Sequence, residues 1–521
     1  MDLPPIHDDI LRLVLNEIAP DPNKTVPVDC RRFLSVESFG PPVEIAPSAV
    51  QDICSFRLAS KRFAEIGAPL LFTRVQARLS KQGLKRLEEL SNWKHLTHYV
   101  KKFSYMVPYF YDYIPEEAQL LLPDLKARFG SLSLDRFRKK IEEQHQIIQT
   151  GYDAKVLRSA LASFTNLEHI QLLRIHDDED SALLAYLRQR DAAQAATLLR
   201  REWERACIHG SRTIGLALLA SNTSCERFSS PQLSPQIAKF LLHHTPTSLP
   251  TLAERLTCLT LHFDDGDDLD SKMMELSSLF KSVFTAATNM RAVHVGFPSH
   301  RPLELPLEEV FHHVKWESLR AFGVQGWKLR ADEIVGLATR HREKLEGLRL
   351  RDVILREGSF WRDVLVELRE TMKKLKWVSL RRIGYEAEFN DRLQAMGAEV
   401  PDDLESESEH SDEDYDPWVG PSNYQHEYPE IDHSDFHDYD SESNRYFDSD
   451  DEHGGDAHNM EFPSLDSPVT PASATWCDCA THNWTEYPEG LGDTGATVTN
   501  SQRKAWEKWV IGRCPAHGER W

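Results

Sequence analysis

The sequence predicts an α/β solenoid-like domain, preceded by a small all-α module and followed by a disordered acidic region. An apolar triplet typical of a strand recurs along residues 76–400, with helical stretches between its copies. The first 75 residues contain several short amphipathic segments, and the chain after position 400 is rich in acidic residues. A chain of 521 residues is too long for one ordinary core, so we expect two or more regions.

Short amphipathic helices fill residues 1–75. Ile10 and Val14 lie one helical turn apart in the first of them. A polar insertion follows at about residues 20–48, and Ser60 can cap a later short helix. Helices this short cannot build a stable core by themselves, so we expect them to pack against the next domain or a partner protein.

The stretch FRLASKRFAEIGAPLLFTRV, with a Leu-Pro pair near the N-terminus, resembles an F-box in the form common in proteins of filamentous fungi. The polar insertion departs from the usual pattern, although a loop between helices tolerates added length well. The resemblance implies that this region binds a Skp-type adaptor and, through it, a cullin. The residues that it assigns to adaptor binding are Leu3, Pro4, Ile10, Leu11, Val14, Leu58, Ser60, Phe63, Leu70 and Phe72.

The next region carries a repeated pattern, apolar-x-x-apolar-x-apolar. Its copies are Val100/Phe103/Tyr105, Leu167/Ile170/Leu172, Leu256/Leu259/Leu261, Met290/Val293/Val295, Leu319/Phe322/Val324, Leu345/Leu348/Leu350 and Leu375/Val378/Leu380. The last five copies start 34, 29, 26 and 30 residues apart, with helical stretches between them. This spacing resembles a degenerate leucine-rich-repeat solenoid over residues 76–400, with a helical insertion at about 181–245.

Side chains between the apolar positions of a strand point to the opposite face of the sheet. In the last two copies of the triplet these side chains are Arg349, Arg351, Trp377, Ser379 and Arg381. Because repeat proteins bind through such a face, we interpret the five residues as facing a protein substrate. We also expect a chain ending at Pro401, after the last repeat, to keep its fold.

Acidic residues dominate one segment near the C-terminus. Residues 402–466 contain 23 Asp or Glu and a single base, so the remaining chain is close to neutral. The segment is poor in aliphatic residues, and we predict that residues 401–475 are disordered. The chain shows no broad basic footprint for nucleic acid and no apolar run of membrane-spanning length. Few cysteines and an acidic N-terminus favour an intracellular protein, cytoplasmic or nuclear.

Signatures of enzyme chemistry are missing from the sequence. We find no Walker loop, no Gly-x-Ser-x-Gly elbow and no His-Glu-x-x-His, so we expect neither an enzyme nor a cofactor. A cysteine–histidine pattern in residues 476–521 has the pairing of a zinc site, with Cys479, His482, Cys514 and His517 as ligands. The same residues also fit an unstructured tail or a small docked helix over SQRKAWEKWV.

Two functions from different classes agree with these features. The resemblance implies a substrate-recognition subunit of a Skp–cullin–F-box ubiquitin ligase, in which other subunits supply the chemistry. The alternative is a protein-interaction scaffold with a vestigial F-box that never joins a ligase, and the polar insertion favours it. Binding of the adaptor separates the two.

Overall fold

Parallel strands joined by helices form the main body of this protein in a computed structural model. The structure describes residues 7–18, 45–108, 110, 134–175, 192–221, 223–244, 248–263, 268–389 and 488–512. All of these residues belong to one compact unit.

Three helices form the N-terminal module: α1 (Asp8–Ile18), α2 (Pro47–Leu58) and α3 (Lys61–Phe72). Pro47 begins α2, where its missing N–H costs nothing. The Ser60 hydroxyl caps α3 by accepting a hydrogen bond from the Phe63 N–H at 3.1 Å. The three helices enclose a small apolar core of their own, made of Leu11, Leu15, Ala49, Ile53 and Ile66.

A ten-stranded sheet follows, and every pairing in it is parallel. Its strands are β1 (Arg74–Arg78), β2 (Lys102–Val107), β3 (His169–Arg174), β4 (Arg227–Leu233), β5 (Cys258–Phe263), β6 (Ala292–Gly296), β7 (Ala321–Leu329), β8 (Gly347–Leu355), β9 (Trp377–Arg381) and β10 (Gly384–Tyr385). The order in the sheet follows the order in the chain up to β8. β9 pairs with the first part of β8, and β10 pairs with its last two residues.

Helices connect the strands. They are α4 (Lys81–Asn92), α5 (Lys94–Thr97), α6 (Leu134–Thr150), α7 (Tyr152–Ser163), α8 (Ala192–Ser221), α9 (Pro235–His244), α10 (Ser248–Ala253), α11 (Leu269–Glu275), α12 (Ser277–Ala286), α13 (Leu307–Phe311), α14 (Ala331–Arg340) and α15 (Trp361–Thr371), with a 3₁₀ turn at Glu386–Glu388. A second 3₁₀ turn, Pro488–Leu491, and the helix α16 (Asn500–Ile511) complete the described elements. Across the described ranges, no helix has both the length and the apolar character to cross a membrane.

The recurring triplet is confirmed as a marker of strands. Its second residues pair in register across the sheet, as in Leu259↔Val293 and Val293↔Phe322, and its third residues form a parallel row. Both rows face the connecting helices and fill two large apolar cores. The sequence therefore predicted the α/β class and the apolar face of the sheet.

One part of the repeat prediction is wrong. The stretch 181–245, interpreted as a helical insertion, contains β4, which pairs with β3 and β5 and so continues the sheet. In β4, Ser230 occupies the third position of the triplet, which is apolar in the neighbouring strands, and the triplet search passed over the strand for that reason.

The C-terminal helix α16 covers the free edge of β9. The carboxylate Oε1 of Glu507 accepts a hydrogen bond from the Leu380 N–H at 2.5 Å, and Nη1 of Arg503 donates to the Leu380 carbonyl at 2.6 Å. Trp506 also lies in the large core of the C-terminal strands. Because this helix follows Pro401, a chain ending there would lack the cover of β9, and its keeping the fold stays a prediction.

Candidate functional site

Helix α1 carries an exposed row of large aliphatic side chains. Ile10, Leu13, Val14 and Ile18 are between 37% and 63% exposed, whereas Leu11 and Leu15 on the other side are buried in the module core. We call these four residues the apolar stripe. At the end of α2, Leu58 is 87% exposed. A helix that already fills a core with one side rarely presents a second apolar side to water without a partner.

The other residues assigned to adaptor binding lie mostly inside the module. The Phe63 ring stacks on Phe56 with centroids 4.5 Å apart, and Leu70 packs on the module core. Phe72 packs against the core of the first strands, with the guanidinium of Arg57 5.1 Å from the centroid of its ring. Ser60 is exposed and acts as the cap of α3.

Two of the predicted residues, Leu3 and Pro4, lie outside the described residues. Leu13 was missed by the sequence reasoning, although its helical spacing from Ile10 places both on one side of the helix. In the described part of the module, the large aliphatic side chains left exposed to water are thus the apolar stripe and Leu58.

The module is attached directly to the sheet. Only Thr73 separates α3 from β1, and its carbonyl accepts hydrogen bonds from the N–H groups of Lys101 and Lys102 at 2.9 Å each. Gly67 in α3 lies so close to the Arg57 side chain that a Cβ there would be 2.6 Å from Cγ of Arg57. The Thr73 hydrogen bonds hold the end of α3 against the first strands, and the Gly67 contact packs α3 on α2, so a partner bound to the module would lie near the start of the sheet.

The face of the sheet opposite the apolar rows carries polar and basic side chains beside two small apolar clusters, Cys258, Ala292, Ala321 and Trp377 and, separately, Met106, Leu173 and Ile175. Its side chains form three rows in register across the strands, the third one interrupted at β4. The bases in these rows are Arg74, Arg78, Lys102, Arg227, Arg349, Arg351 and Arg381, and the described strand positions in the rows include no Asp or Glu. We call this surface the basic face.

The five residues interpreted as substrate-facing share the basic face. Arg349 pairs in register with Ser379, Arg351 with Arg381, and Trp377 with a glycine. Arg349 is fully buried, Arg351, Trp377 and Ser379 are also buried, and Arg381 is partly exposed. Their role in substrate binding stays a prediction.

Positive charge is concentrated at this end of the face. Burial, together with the neighbouring cations Arg382 and Arg351, lowers the pKa of Arg381 to about 10. Burial also holds the pKa of His294 well below its ordinary value, helped by His262 and the nearby arginines. The imidazole is therefore neutral at neutral pH, and the arginines dominate the local electrostatics.

Glycines make room for rings on the basic face. A Cβ on Gly296 would lie 2.4 Å from Nε2 of His262, and a Cβ on Gly323 would lie 2.3 Å from Nδ1 of His294. The two imidazoles stack, with their Nε2 atoms 3.0 Å apart. Sequence reasoning missed this pair, because histidines 32 residues apart, on adjacent strands and offset by two positions, give no local signal.

A buried carboxylate–imidazole pair lies under the first strands. Oδ2 of Asp153 is 2.6 Å from Nε2 of His209, and the Thr213 hydroxyl is 3.3 Å from the same nitrogen. A catalytic triad needs the nucleophile and the carboxylate on opposite nitrogens of the ring. Since the Tyr105 hydroxyl also donates to Asp153 at 3.1 Å, the cluster ties α7 and α8 to β2 and has no triad geometry.

The predicted zinc ligands Cys479, His482, Cys514 and His517 lie outside the described residues, as does the segment 401–475 that was predicted to be disordered. Among the residues that the structure does describe, no group of three or more His, Cys, Asp or Glu side chains could hold a metal ion. The zinc site therefore stays a prediction.

A scan against models of protein families found no match, and a search of curated proteins found no relative. The apolar stripe and the basic face are the features of the described chain that bear on its function.

Proposed function

We propose that this chain is a substrate-recognition subunit of a Skp–cullin–F-box ubiquitin ligase. In this proposal the N-terminal module binds a Skp-type adaptor, and the sheet binds a protein substrate. The observation that carries the proposal is the apolar stripe, displayed by a three-helix module that is anchored to the first strand of a repeat-like domain.

Burial of the apolar stripe supplies the driving force. Covering one large aliphatic side chain contributes about 1.5–3 kcal/mol. Four such residues on one 11-residue helix, with Leu58 exposed at the end of α2, fit a partner that lays its own apolar surface against the module. The opposite side of α1 is occupied by the module core, so the partner binds without unfolding the module.

The sheet fits the second half of the role. We interpret it as a degenerate leucine-rich-repeat array, because its strands follow the chain order with a helical connection between most of them. The apolar rows pack against the helices, which leaves the basic face for recognition. Substrate would approach the end that carries Arg349, Arg351, Trp377, Ser379 and Arg381, where Arg381 is partly exposed and the other four are buried. Ubiquitin transfer would be performed by other subunits, so this role needs no active site in the chain.

Adaptor binding by the full chain tests the proposal. We expect Ile10→Ser with Val14→Ser to weaken adaptor affinity at least tenfold, because both side chains lose apolar area at the interface. Both residues are about half exposed, so the melting temperature should stay unchanged. The matched control is Met274→Ser, which removes a similarly exposed apolar side chain from α11 and should bind like the wild type.

A wild-type chain that does not bind the adaptor would overturn the ligase role. That result would favour the scaffold alternative, for which the separation of α1 and α2 by residues 19–46 is the supporting observation. Equal weakening by the stripe variant and by Met274→Ser would also count against the proposed surface.

A further inference from the structure

The C-terminal segment, residues 488–512, joins the sheet from far along the chain. About one hundred residues separate it from β10. Its helix α16 contacts β9 and α15, and its 3₁₀ turn also contacts α15. We call the surface that receives the segment, formed by β9 and α15 together with Tyr385 of β10, the edge groove. The segment and the groove belong to one compact unit.

Side chains of the C-terminal segment bind outward-facing backbone groups of the edge groove. Glu507 and Arg503 bind the N–H and the carbonyl of Leu380 at the edge of β9. At the start of α15, Oδ2 of Asp493 accepts a hydrogen bond from the Arg362 N–H at 2.7 Å. A strand edge and the first turn of a helix both need partners from outside the element. The segment therefore supplies what the groove requires at both places.

Apolar contact makes the edge groove specific for a helix. Trp506 and Trp509 are 1% and 5% exposed and lie in the large core of the C-terminal strands. The guanidinium of Arg369 on α15 lies 4.5 Å from the centroid of the Trp509 ring, and its Nη1 donates to the Trp509 carbonyl at 2.5 Å. The ligand that this groove fits is a helix with two tryptophans three positions apart and an arginine four positions before a glutamate, as in Arg503 and Glu507.

The C-terminal segment also holds its own shape. Nε1 of Trp506 donates to the Leu491 carbonyl at 2.8 Å, and Nε2 of Gln502 donates to the Gly492 carbonyl at 2.9 Å. Thr499 begins α16 with a capping box that it shares with Gln502. Because these contacts lie within the segment, it can pass from one groove to another as a unit.

The length of the connection allows the segment to reach a second molecule. About one hundred residues lie between β10 and the segment, and an extended chain of that length spans about 330 Å. Ten strands at about 4.8 Å spacing cover only about 45 Å. Chain length therefore does not restrict the segment to the groove of its own chain.

We propose that the edge groove binds the C-terminal segment of a second copy of this chain, so that two copies pair by exchanging their segments. The segment seated in the groove and the length of its connection select this occupant. An exchanged pair keeps the contacts of the closed chain, whereas the tether within one chain raises the effective concentration of its own segment. We therefore expect closed single chains at low concentration and exchanged pairs as the concentration rises.

Two full-length variants test the exchange. The segment variant, Trp506→Ala with Glu507→Ala, lacks two side chains of α16 but keeps an intact groove. The groove variant, Arg369→Ala with Tyr385→Phe, loses two contacts with the segment but keeps an intact α16. Each variant alone should remain a single chain at about 10 μM, well below the millimolar effective concentration of a tethered segment.

Native mass spectrometry of an equimolar mixture gives the result. We expect a one-to-one pair of the two variants, because the intact segment of one fits the intact groove of the other. Its amount should exceed by at least tenfold the pairs formed by two isotopically distinguished wild-type copies, whose grooves are occupied by their own segments. A mixture of the two folded variants that contains only single chains would overturn the proposal.

A second measurement leaves the core side chains unchanged. Gly495 has a φ of 72°, and a Cβ there would lie 2.6 Å from Cε1 of Phe360, a ring that is 39% exposed. Gly495→Ala should therefore loosen the segment from its own groove at the surface. We expect this full-length variant to bind a fluorescent synthetic peptide of residues 488–512 about tenfold more tightly than the wild type does, because its own segment competes less.

The control Gly151→Ala places a side chain at a φ of 61° before α7, where nothing lies within 4 Å of a Cβ, and it should bind the peptide like the wild type. A peptide with Trp506→Ala and Trp509→Ala should not bind. Equal peptide binding by Gly495→Ala and the wild type would refute the exchange. The adaptor takes part in neither assay, so this proposal and the ligase proposal can fail separately.

Discussion

Replacing Glu507 by Ala should uncover the last strand of the sheet. The Glu507 carboxylate is 8% exposed and supplies the hydrogen-bond acceptor for the Leu380 N–H at the edge of β9. Its loss leaves a buried N–H without that acceptor, which costs about 1–3 kcal/mol. It also removes the carboxylate beside Arg503, and breaking a buried ion pair costs about 3–5 kcal/mol. These two costs overlap because they share one side chain, so we expect the free energy of unfolding to fall by about 3 kcal/mol.

Urea unfolding followed by tryptophan fluorescence measures this change, because Trp506 and Trp509 lie on the same helix and are buried. Glu507→Gln keeps an acceptor but loses the charge, so its effect should be smaller. The control Lys508→Ala changes the exposed neighbour and should stay within about 0.5 kcal/mol of the wild type. If Glu507→Ala and Lys508→Ala unfold at the same urea concentration, the Glu507 carboxylate does not stabilise the edge of β9.

Two further predictions concern buried histidines. Burial lowers the pKa of His341 to about 4. Its ring accepts a hydrogen bond from the Trp316 N–H and lies next to the Leu337 carbonyl. Between about pH 6.5 and 4 the unfolded chain therefore binds more protons than the folded chain. The free energy of unfolding should fall, as pH is lowered through that window, by up to about 1.4 kcal/mol per pH unit. His341→Gln should flatten the dependence of melting temperature on pH in this window, and an unchanged slope would contradict the role of His341. Gly323→Ala should lower the free energy of unfolding by about 1–3 kcal/mol, since its Cβ would meet the His294 ring. Adding His294→Ala should cancel most of that loss, whereas simple additivity of the two losses would speak against the clash.

Strands were predictable where they bury two alternate side chains. The triplet Leu345/Leu348/Leu350 marks β8 because both of its later residues face the helices. The apolar triplet did not identify β4, because Ser230 occupies a position that is apolar in most other strands. The sheet tolerates the serine because pairing with strands on both sides, rather than the residue's own hydrophobicity, holds β4 in place.

The candidate surfaces could be predicted only in part. Helical periodicity groups Ile10, Leu11 and Val14, but it does not say which of them face α2 and α3. The structure separates them because neighbouring positions on a helix differ by about 100°. The role of Glu507 had no local signal either, because a glutamate in a charged helix ordinarily faces solvent.

Helix α16 completes the sheet from a distance along the chain. About one hundred residues separate it from β10, and closing a loop of that length costs roughly 4 kcal/mol of chain entropy, which the contacts of the helix must exceed. A protease that cuts this connection would turn the helix into a separate peptide, whose hold on β9 would then depend on its concentration. One cleavage in this connection would thereby convert a closed edge into one that can pair with a strand from another molecule.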